Sequence, residues 1–470
     1  MLVLSLVVLP MVAAFALFLL PREDRRVSKA VACIVSAATV ALVFASNDKA
    51  ISGHWLARPF TSNFHFANTG ISFWIVLLLA LATFCAVLAA KVPRLRGFLA
   101  LMLLLEGTMM GVFLARDLLV FALFWDLMLI PVFLGLIGWG EHPATAWRYI
   151  IYNFTGGLTL LLATAAFGVA YGSTDVIGLS GLAHLGNIWQ PWIFAGFAFA
   201  FLVKTPVWPF HTWMPATYAD TPSPMVAVVG AVQSKAGLYG FIVIGMALLP
   251  ESMRAASLLM MWLGVIALLY GAFTALVQTD AKRIVAYSSL SHLGLILLAI
   301  FSFNAIALRG ALIYMIAHGL FTAAVFLVLG YIEDREETRS LLRLGGLGRD
   351  NPRLAGAFCI AALAALGLPG LAGFSGEIVI LTGLYQSGQV WPAIIALVPI
   401  LVAAAYMLRL FQGIMNGPEI ADLPVRRDLS LIEGLALVPL LLAIVFLGVN
   451  PHVLTTFDTA PYPVASVVAK

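Results

Sequence analysis

Charged residues are scarce in this sequence, and no stretch of it has the polar composition of a soluble domain. Lys, Arg, Asp and Glu make up 10% of the 470 residues and apolar types make up 62%, against roughly 25% and 45–50% in ordinary soluble domains. Apolar runs long enough to span a bilayer, about 18–25 residues, recur from the first residue to near the last. A separate soluble catalytic domain is therefore excluded, and the chain is predicted to be one bundle of membrane helices.

Cysteine is also rare. Cys33, Cys85 and Cys359 lie in separate apolar runs, and no CxxC spacing occurs. Thiolate sites for zinc or iron–sulfur clusters need closely spaced cysteines, so we predict neither a metal site nor an iron–sulfur cluster in this chain and interpret the three as packing residues. The net charge of +4 is not arranged as a basic stripe with interleaved aromatics, so nucleic acid is not an expected partner.

The predicted fold class is an all-α polytopic membrane protein with about fourteen transmembrane helices. Their approximate cores are 1–20, 28–46, 70–90, 98–115, 118–138, 148–171, 191–212, 222–249, 255–277, 283–302, 305–331, 354–386, 391–415 and 430–449. Cytoplasmic loops hold most Lys and Arg in membrane proteins. With the N-terminus outside, eighteen of the 26 basic residues fall on the inward side and six on the outward side. We therefore expect a multi-pass protein of a bacterial plasma membrane with both termini outside.

A small set of ionisable side chains lies well inside these spans. They are Glu106, Asp126, Lys204, Lys235, His292, His318 and Glu377. A charge at the bilayer centre costs about 2.5–3.5 kcal/mol on insertion scales, and such residues almost always face a protein interior or a water-filled cavity. Because they commonly mark ion paths and proton relays, the set is a candidate proton path.

Several members also have a structural alternative. Asp126 and Lys204 are predicted partners, and a static ion pair that only fixes helix packing is the other interpretation. Lys235 either carries a proton or extends to a lipid headgroup, for which it lies too deep in its span. Glu106 is equally consistent with structural hydrogen bonding and with function.

The histidines are weaker signals. A lone histidine on an apolar helix is usually a hydrogen-bonded core residue, but histidine titrates near neutral pH. His292 and His318 stand between Lys235 and Glu377 in chain order, so we predict that they bridge these two groups through water. His211, beside a proline, could be a ligand, a relay or a helix cap.

Two spans are interrupted beside a charge, at Lys204-Thr205-Pro206 and at Gly367-Leu368-Pro369-Gly370, which leads to Glu377. Broken helices at membrane depth are tolerated where they are buried or line a wet cavity. The breaks fall in the seventh and twelfth spans, and this odd separation of five predicts two inverted five-helix repeats, each with a broken helix. The predicted division is 1–97 for three N-terminal helices, 98–250 and 251–417 for the repeats, and 418–470 for the last helix and tail.

Several long segments carry a specific resemblance. Five of them are similar to the antiporter-like subunits of respiratory complex I: LEGTMMGVFLARDLLVFALFWDLMLIP, KTPVWPFHTWMP, DAKRIVAYSSLSHLG, LPGLAGFSGEIVIL and YMLRLFQGIMNGP. The resemblance runs from about residue 70 to residue 418. Within that family, glutamate at the broken twelfth span, here Glu377, is typical of the subunit M group, and the sister groups have lysine there. The absence of a long lateral helix before residue 470 agrees with this.

The resemblance implies a proton-translocating membrane subunit of an NADH:quinone oxidoreductase. It implies that the fifth-span acid pairs with Lys204, that Lys235 and the histidines continue the path, that Glu377 ends it, and that Glu106 is a further acidic position. Flavin, iron–sulfur clusters and the quinone site are expected on partner subunits, which would include sister antiporter-like subunits and small membrane subunits.

Two departures from the family pattern bear on this interpretation. The fifth-span acid is usually glutamate, and Asp126 is one methylene shorter, so we expect a weaker or water-mediated contact with Lys204. The segment ATYADTPSPMVAVVGAVQSKAG differs from the sequence that is usual at this place in the subunit M group. A subunit of a sodium/proton antiporter or of a membrane-bound hydrogenase, and a non-pumping spacer, are the alternative functions.

Overall fold

The structure, a computed structural model, describes residues 1–19, 24–179, 188–417 and 428–454. These residues are mostly helical, which confirms the predicted fold class. Four of the basic residues counted in the charge distribution, Arg22, Arg426, Arg427 and Lys470, lie outside the described residues.

The first part of the chain is mostly helical. They are α1 (Leu2–Leu19), α2 (Arg25–Ala45), α3 (Ile71–Ala89), α4 (Leu95–Leu114), α5 (Leu118–Leu127), α6 (Leu129–Trp139) and α7 (Pro143–Tyr171). Several starts are set by a polar side chain that accepts from the free backbone N–H groups of the first turn. Asp24 does this for α2 and Asp117 for α5.

The middle of the chain is divided into shorter pieces. They are α8 (Val176–Leu179), α9 (Gln190–Lys204), α10 (Met214–Asp220), α11 (Ser223–Ala231), α12 (Ala236–Gly240), α13 (Met246–Leu248) and α14 (Pro250–Ala255), with a 3-10 turn at Gln233–Lys235 and a π-helical turn at Phe241–Gly245.

The last part returns to long helices. They are α15 (Ser257–Val277), α16 (Ala281–Phe301), α17 (Ala305–Glu336), α18 (Leu347–Asp350), α19 (Pro352–Ala365), α20 (Ala372–Gln386), α21 (Val390–Met415) and α22 (Leu431–Val449), followed by a 3-10 turn at Pro451–Leu454.

Twelve helical segments of the described chain are long and apolar enough to cross a membrane. They correspond to every predicted span except the seventh and the twelfth. Those two are helices with an interruption, α9 to α10 and α19 to α20, whose parts are too short to qualify by length. Both predicted breaks are therefore present, and the total of fourteen spans stays a prediction.

The two predicted breaks are built differently. α9 ends at Lys204, and the chain turns irregularly through Pro206 and Pro209 before α10 begins. The second break, between α19 and α20, uses glycine, since Gly367 and Gly370 adopt φ values of 77° and 92°. L-residues with a side chain rarely adopt these angles, so glycine is required there.

Further irregularities were not predicted. The eighth span changes from α-helix to a 3-10 turn that ends at Lys235 and later to a π-helical turn. The fifth span divides into α5 and α6 at Met128, two residues after Asp126. Short 3-10 and π segments inside helices are frequent at functional sites because they redirect side chains. Lys204, Lys235 and the half-buried Asp126 thus each lie at or beside an interruption.

One end of the bundle carries a β-hairpin that was not predicted, formed by β1 (Lys49–Leu56) and β2 (Ser62–Asn68) in antiparallel pairing. Asp117 fastens the hairpin to the start of α5. It accepts a hydrogen bond from the Ser62 hydroxyl at 2.9 Å and from the Thr174 hydroxyl at 2.7 Å.

The opposite end is held by ion pairs around Arg339. Its guanidinium lies 2.7 Å from Asp280 and 3.0 Å from Glu141, which join the starts of α16 and α7 to the segment after α17. Lys282 and Glu333 form a second pair at 2.6 Å. This end therefore gathers basic residues that the charge distribution assigns to the cytoplasmic side.

Glu433 connects three helices at the same region. It is 2% exposed, and its carboxylate lies 2.7 Å from Lys91 after α3 and 2.8 Å from Arg335 on α17. It also closes a capping box with Ser430 at the start of α22. One carboxylate thus fixes the last helix against the centre of the bundle.

Glu433→Ala should lower the free energy of unfolding by about 3 kcal/mol, because the change leaves Arg335 largely buried without its carboxylate. The thermal unfolding midpoint of the purified protein in detergent measures this. Glu251→Ala, an exposed acid in the first turn of α14, is the control and should change the midpoint little. Equal midpoints for the two variants would contradict the role of Glu433.

Candidate functional site

Lys235 and His318 form a direct contact between two buried basic side chains. Lys235 Nζ lies 2.8 Å from His318 Nδ1 and donates to the Gly230 carbonyl at 3.1 Å. The helices approach closely here because Gly319 has no side chain, and a Cβ at that position would lie 2.8 Å from the Ala231 carbonyl oxygen. The 3-10 turn and this glycine together bring the ammonium to the imidazole.

His292 lies beside this pair and leads toward the twelfth span. Its ring centroid is 5.4 Å from that of His318 and 5.6 Å from that of Tyr314. Neither ring nitrogen has a hydrogen-bond partner among the described residues, although the side chain is buried. Buried polar atoms are nearly always paired with protein or with ordered water. The two ring nitrogens of His292 are therefore buried polar atoms whose hydrogen bonds are not made by the described residues.

Glu377 accepts a hydrogen bond from Tyr314, whose hydroxyl lies 2.6 Å from Glu377 Oε1. Glycines of the broken helix make room for both groups. A Cβ at Gly367 would collide with Glu377 Oε2, and one at Gly376 would lie 2.6 Å from Tyr314 Cβ. The break between α19 and α20 thus positions the carboxylate against a tyrosine hydroxyl.

Asp126 and Lys204 are near each other but not in direct contact. Lys204 is 1% exposed. It lies within electrostatic range of Asp126. Among the described residues, however, Lys204 Nζ and Asp126 Oδ1 have no hydrogen-bond partner and form no ion pair with each other. The aspartate is short, and its carboxylate packs against Gly157 on α7. The Lys204 ammonium and the Asp126 carboxylate are therefore farther apart than the 4.0 Å limit of a direct ion pair, in contrast to the pairing that the resemblance implies.

The breaks that carry the two lysines pack against each other. Gly237, two residues after Lys235, packs directly against the Phe201 carbonyl and the Thr205 hydroxyl. A Cβ at position 237 would collide with both oxygen atoms. Gln233, two residues before Lys235, donates to the Tyr149 hydroxyl at 2.9 Å. The end of α9 and the 3-10 turn are therefore neighbours.

Glu106 stands apart from the other six predicted residues. It is fully buried between α4 and α2, and the Thr39 hydroxyl donates to its Oε1 at 2.6 Å. Within the described part of the chain it forms no hydrogen bond or ion pair with Asp126, either lysine, either histidine or Glu377. Its visible role is structural hydrogen bonding between two helices.

Sequence reasoning missed Tyr314, Gln233 and Gly157. None of them carries a charge, so a search for ionisable residues inside apolar spans passes over them. Tyr314 could have been found from its spacing, since it precedes His318 by four residues and so lies on the same face of α17. Nothing local in the sequence indicates the contact of Gly157 with Asp126.

His211 and the one metal-like group add no site. His211 is buried at the first break, and its ring packs against Tyr270 with centroids 4.9 Å apart. Among the described residues, Glu141, His142 and Asp220 have the spacing of metal ligands. Arg339 already pairs with Glu141, and Thr145 donates to Asp220 at 2.5 Å, so this group is part of the ion-pair network.

The fold and the site define a mainly helical membrane protein with buried basic and acidic groups in its interior, several of them at helix breaks. The family described as NADH:quinone oxidoreductase/Mrp antiporter, TM matches residues 115–403. This is more than half of the chain. The protein belongs to this family.

Relatives over most of the chain agree with this assignment. NADH-quinone oxidoreductase subunit M of Pseudomonas aeruginosa is 35% identical over 420 residues, which cover 85% of this chain and 81% of that protein. NAD(P)H-quinone oxidoreductase chain 4 1 of a Synechococcus species is 34% identical over 497 residues, covering 98% and 92%.

Solved structures match over the whole length. A chain of respiratory complex I from Thermus thermophilus with bound NADH is 31% identical, with a TM-score of 0.87 and 99% of both chains covered. Chains of the Mrp complex from Dietzia and of the archaeal membrane-bound sulfane sulfur reductase give TM-scores of 0.86 and 0.87 over 99% of each chain. At 21% and 22% identity, these two show the fold alone.

Gly157→Ala should lower the free energy of unfolding by about 1–3 kcal/mol, because the new methyl group overlaps the Asp126 carboxylate. Alanine favours a helix over glycine by up to about 1 kcal/mol, so the overlap has to outweigh that gain. Unfolding of the purified protein in detergent measures the change.

Gly156→Ala is the matched control. Its methyl group would make an ordinary contact, 3.4 Å from Val203 Cβ, so this variant should be as stable as the parent or slightly more stable. Equal destabilisation by both substitutions would contradict the overlap with the Asp126 carboxylate as the cause of the effect at Gly157.

Proposed function

We propose that this chain is a proton-translocating membrane subunit of NADH:quinone oxidoreductase, of the kind named subunit M or chain 4. Relatives with those names are 30–35% identical to it over most of its length. The observation that carries the translocation role is the buried contact between Lys235 and His318, continued by His292 toward Tyr314 and Glu377.

The contact between Lys235 and His318 can hold one shared proton. The ammonium form of Lys235 donates to a neutral His318 Nδ1, and a second proton on His318 would remove the acceptor. The protonated ring would then be repelled by Lys235 and would face His292. A proton that arrives from the Lys204 side is in this way passed onward, because two positive charges at this distance are unfavourable in a buried site.

His292 and Glu377 complete the proposed path. His292 would receive the proton through water, since its ring nitrogens are buried and have no protein partner among the described residues. Glu377 would receive it next, with Tyr314 holding the carboxylate in place through the 2.6 Å hydrogen bond. We keep Glu106 as a structural residue between α4 and α2 in this scheme.

Asp126 controls the other end of the path electrostatically. Charges about 5 Å apart interact by roughly 3 kcal/mol at an effective dielectric constant near 20, which is enough to change proton occupancy about a hundredfold. The distance between Asp126 and Lys204 would therefore regulate when Lys204 releases its proton.

The domain organisation belongs to the same proposal. Residues 1–97 form an N-terminal unit, 98–250 and 251–417 form two inverted five-helix repeats, and 418–470 form a C-terminal helix and tail. Each repeat contains one of the two breaks predicted from the sequence, which supports this division. Both termini would lie outside a bacterial plasma membrane, with the ion pairs around Arg339 on the cytoplasmic side.

The proposed partners are the other membrane subunits of the complex, including its sister antiporter-like subunits. Flavin, iron–sulfur clusters and the quinone site would be on subunits other than this one. The enzyme activity belongs to the whole complex, and this chain would move protons only. Purification in mild detergent tests this: NADH-dehydrogenase and quinone-site subunits should co-purify, whereas antiporter or hydrogenase subunits would contradict the assignment.

Lys235→Met should reduce proton pumping about a hundredfold or more in vesicles that contain the assembled complex, because the positioned proton carrier is lost. Pumping is measured as acidification of the vesicle lumen driven by NADH. Lys49→Met is the control, because Lys49 is exposed on β1, and it should pump normally. Normal pumping by an assembled Lys235→Met complex would refute the proposed path.

Tyr314→Phe should reduce pumping by about tenfold, since a hydrogen bond to a charged carboxylate contributes about 1.5–3 kcal/mol. Tyr331→Phe is the matched control on the same helix, because the Tyr331 hydroxyl has no hydrogen-bond partner among the described residues. If both variants pump equally well, Tyr314 has no part in holding Glu377.

A further inference from the structure

Trp125 presents the face of its ring to the Lys204 ammonium group. Lys204 Nζ lies 5.1 Å from the ring centroid, within the range of about 6 Å in which a cation is attracted to an aromatic face. In the described part of the chain this ammonium has no hydrogen-bond partner. The indole is therefore a direct favourable contact for the charge at the first break.

The indole is held rigidly in this position. Trp125 is fully buried, with its centroid 5.4 Å from that of Phe121 and 5.6 Å from that of Phe201. Phe201 lies one turn before Lys204 on α9, so the same helix positions the ammonium and one of the rings that support the indole. Lys204 and Trp125 are thus fixed relative to each other by packing.

Asp126, the next residue after Trp125, points elsewhere. Consecutive residues of a helix project about 100° apart, and the Asp126 carboxylate packs against Gly157 on α7. Because aspartate is one methylene shorter than glutamate, it does not extend to a direct ion pair with Lys204. The ring and the carboxylate therefore act on Lys204 from two directions, one in contact and one across a gap.

We propose that Trp125 is a positioning residue that holds the proton-loaded form of Lys204 through its ring. The proposal rests on the proposed function of the chain. A cation–π contact acts on the ammonium form and is lost when the amine becomes neutral, so the ring favours retention of the proton. Unlike a carboxylate, the ring cannot itself be protonated, so its effect does not change when Asp126 gains or loses charge.

Other titratable groups near α9 do not account for this role. The elements packed against α9 include α5, whose Phe121 and Trp125 contact Phe201, together with α7, α12, α14 and the 3-10 and π-helical turns of the eighth span. Their titratable residues are Asp126, Arg148, Tyr149, Tyr152, Tyr171, Lys235, Tyr239, Glu251 and Arg254. Among the described residues, the charged group within electrostatic range of Lys204 is Asp126. The ring and Asp126 are therefore the two influences to separate by experiment.

Site-specific replacement of Trp125 by a series of fluorinated tryptophans tests the proposal. Each fluorine weakens the negative face of the ring and leaves its shape nearly unchanged, so every variant should fold and assemble. Pumping is measured as a function of pH in vesicles that contain the assembled complex. The pH at which pumping falls to half its maximum on the alkaline side should decrease with each fluorine, by about one pH unit over the series.

Fluorinated phenylalanine at position 121 is the matched control. Phe121 belongs to the same aromatic cluster and supports Trp125. Fluorination there should leave the pH profile unchanged. A profile that does not move across the Trp125 series, or that moves equally for position 121, overturns the proposal.

Ordinary substitutions provide a second measurement. Trp125→Phe keeps an aromatic face and should shift this alkaline half-maximum pH less than Trp125→Leu, which keeps only apolar volume. Lys204→Met distinguishes failure of the Trp125 role from failure of the proposed proton-translocating function. Loss of pumping in Lys204→Met with no effect of fluorination refutes the role of Trp125 alone, whereas normal pumping in Lys204→Met refutes the proposed function.

Discussion

The hydrogen bond between Lys235 and His318 is the constraint on which the rest of the site depends. Two basic nitrogens 2.8 Å apart can share one proton but cannot both be charged in a buried environment. The pair is therefore stable in a singly protonated form and unstable when a second proton arrives. A core contact between two apolar groups would have no such property, and this is why the pair supports the proposed relay.

Helix interruptions supply the space and the backbone geometry that the charged groups need. Lys204 ends α9, Lys235 ends a 3-10 turn, and Glu377 follows the glycine break before α20. A continuous helix satisfies its own backbone groups and offers nothing to a buried charge. An interruption frees such groups, as shown by the Gly230 carbonyl that accepts from Lys235. At Lys235 the cost of the interruption is thus offset in part by the charge beside it.

Local sequence patterns predicted the features that depend on composition. Apolar runs predicted the long helices, and proline or glycine beside Lys204 and Glu377 predicted the two breaks. The unpredicted features depend on tertiary contact. The 3-10 turn at Lys235 contains no proline that would predict it. The position of the Asp126 carboxylate depends on Gly157, which lies thirty-one residues later in the chain. The local sequence therefore does not indicate the 3-10 turn at Lys235 or the position of Asp126, because both depend on residues that are distant along the chain.

The direction of the hydrogen bond at Glu377 reports the state of the proposed path. With Glu377 ionised, Tyr314 donates its only proton to the carboxylate and has none to offer His292. Once Glu377 is protonated, the acid can donate to the tyrosine oxygen, and the hydroxyl proton is free to turn toward His292 or a water beside it. In the proposed path, the Tyr314 hydroxyl would therefore be held on Glu377 in one state and could turn toward His292 in the other. A phenylalanine would fill the same volume, but it would lose this dependence on the charge of Glu377.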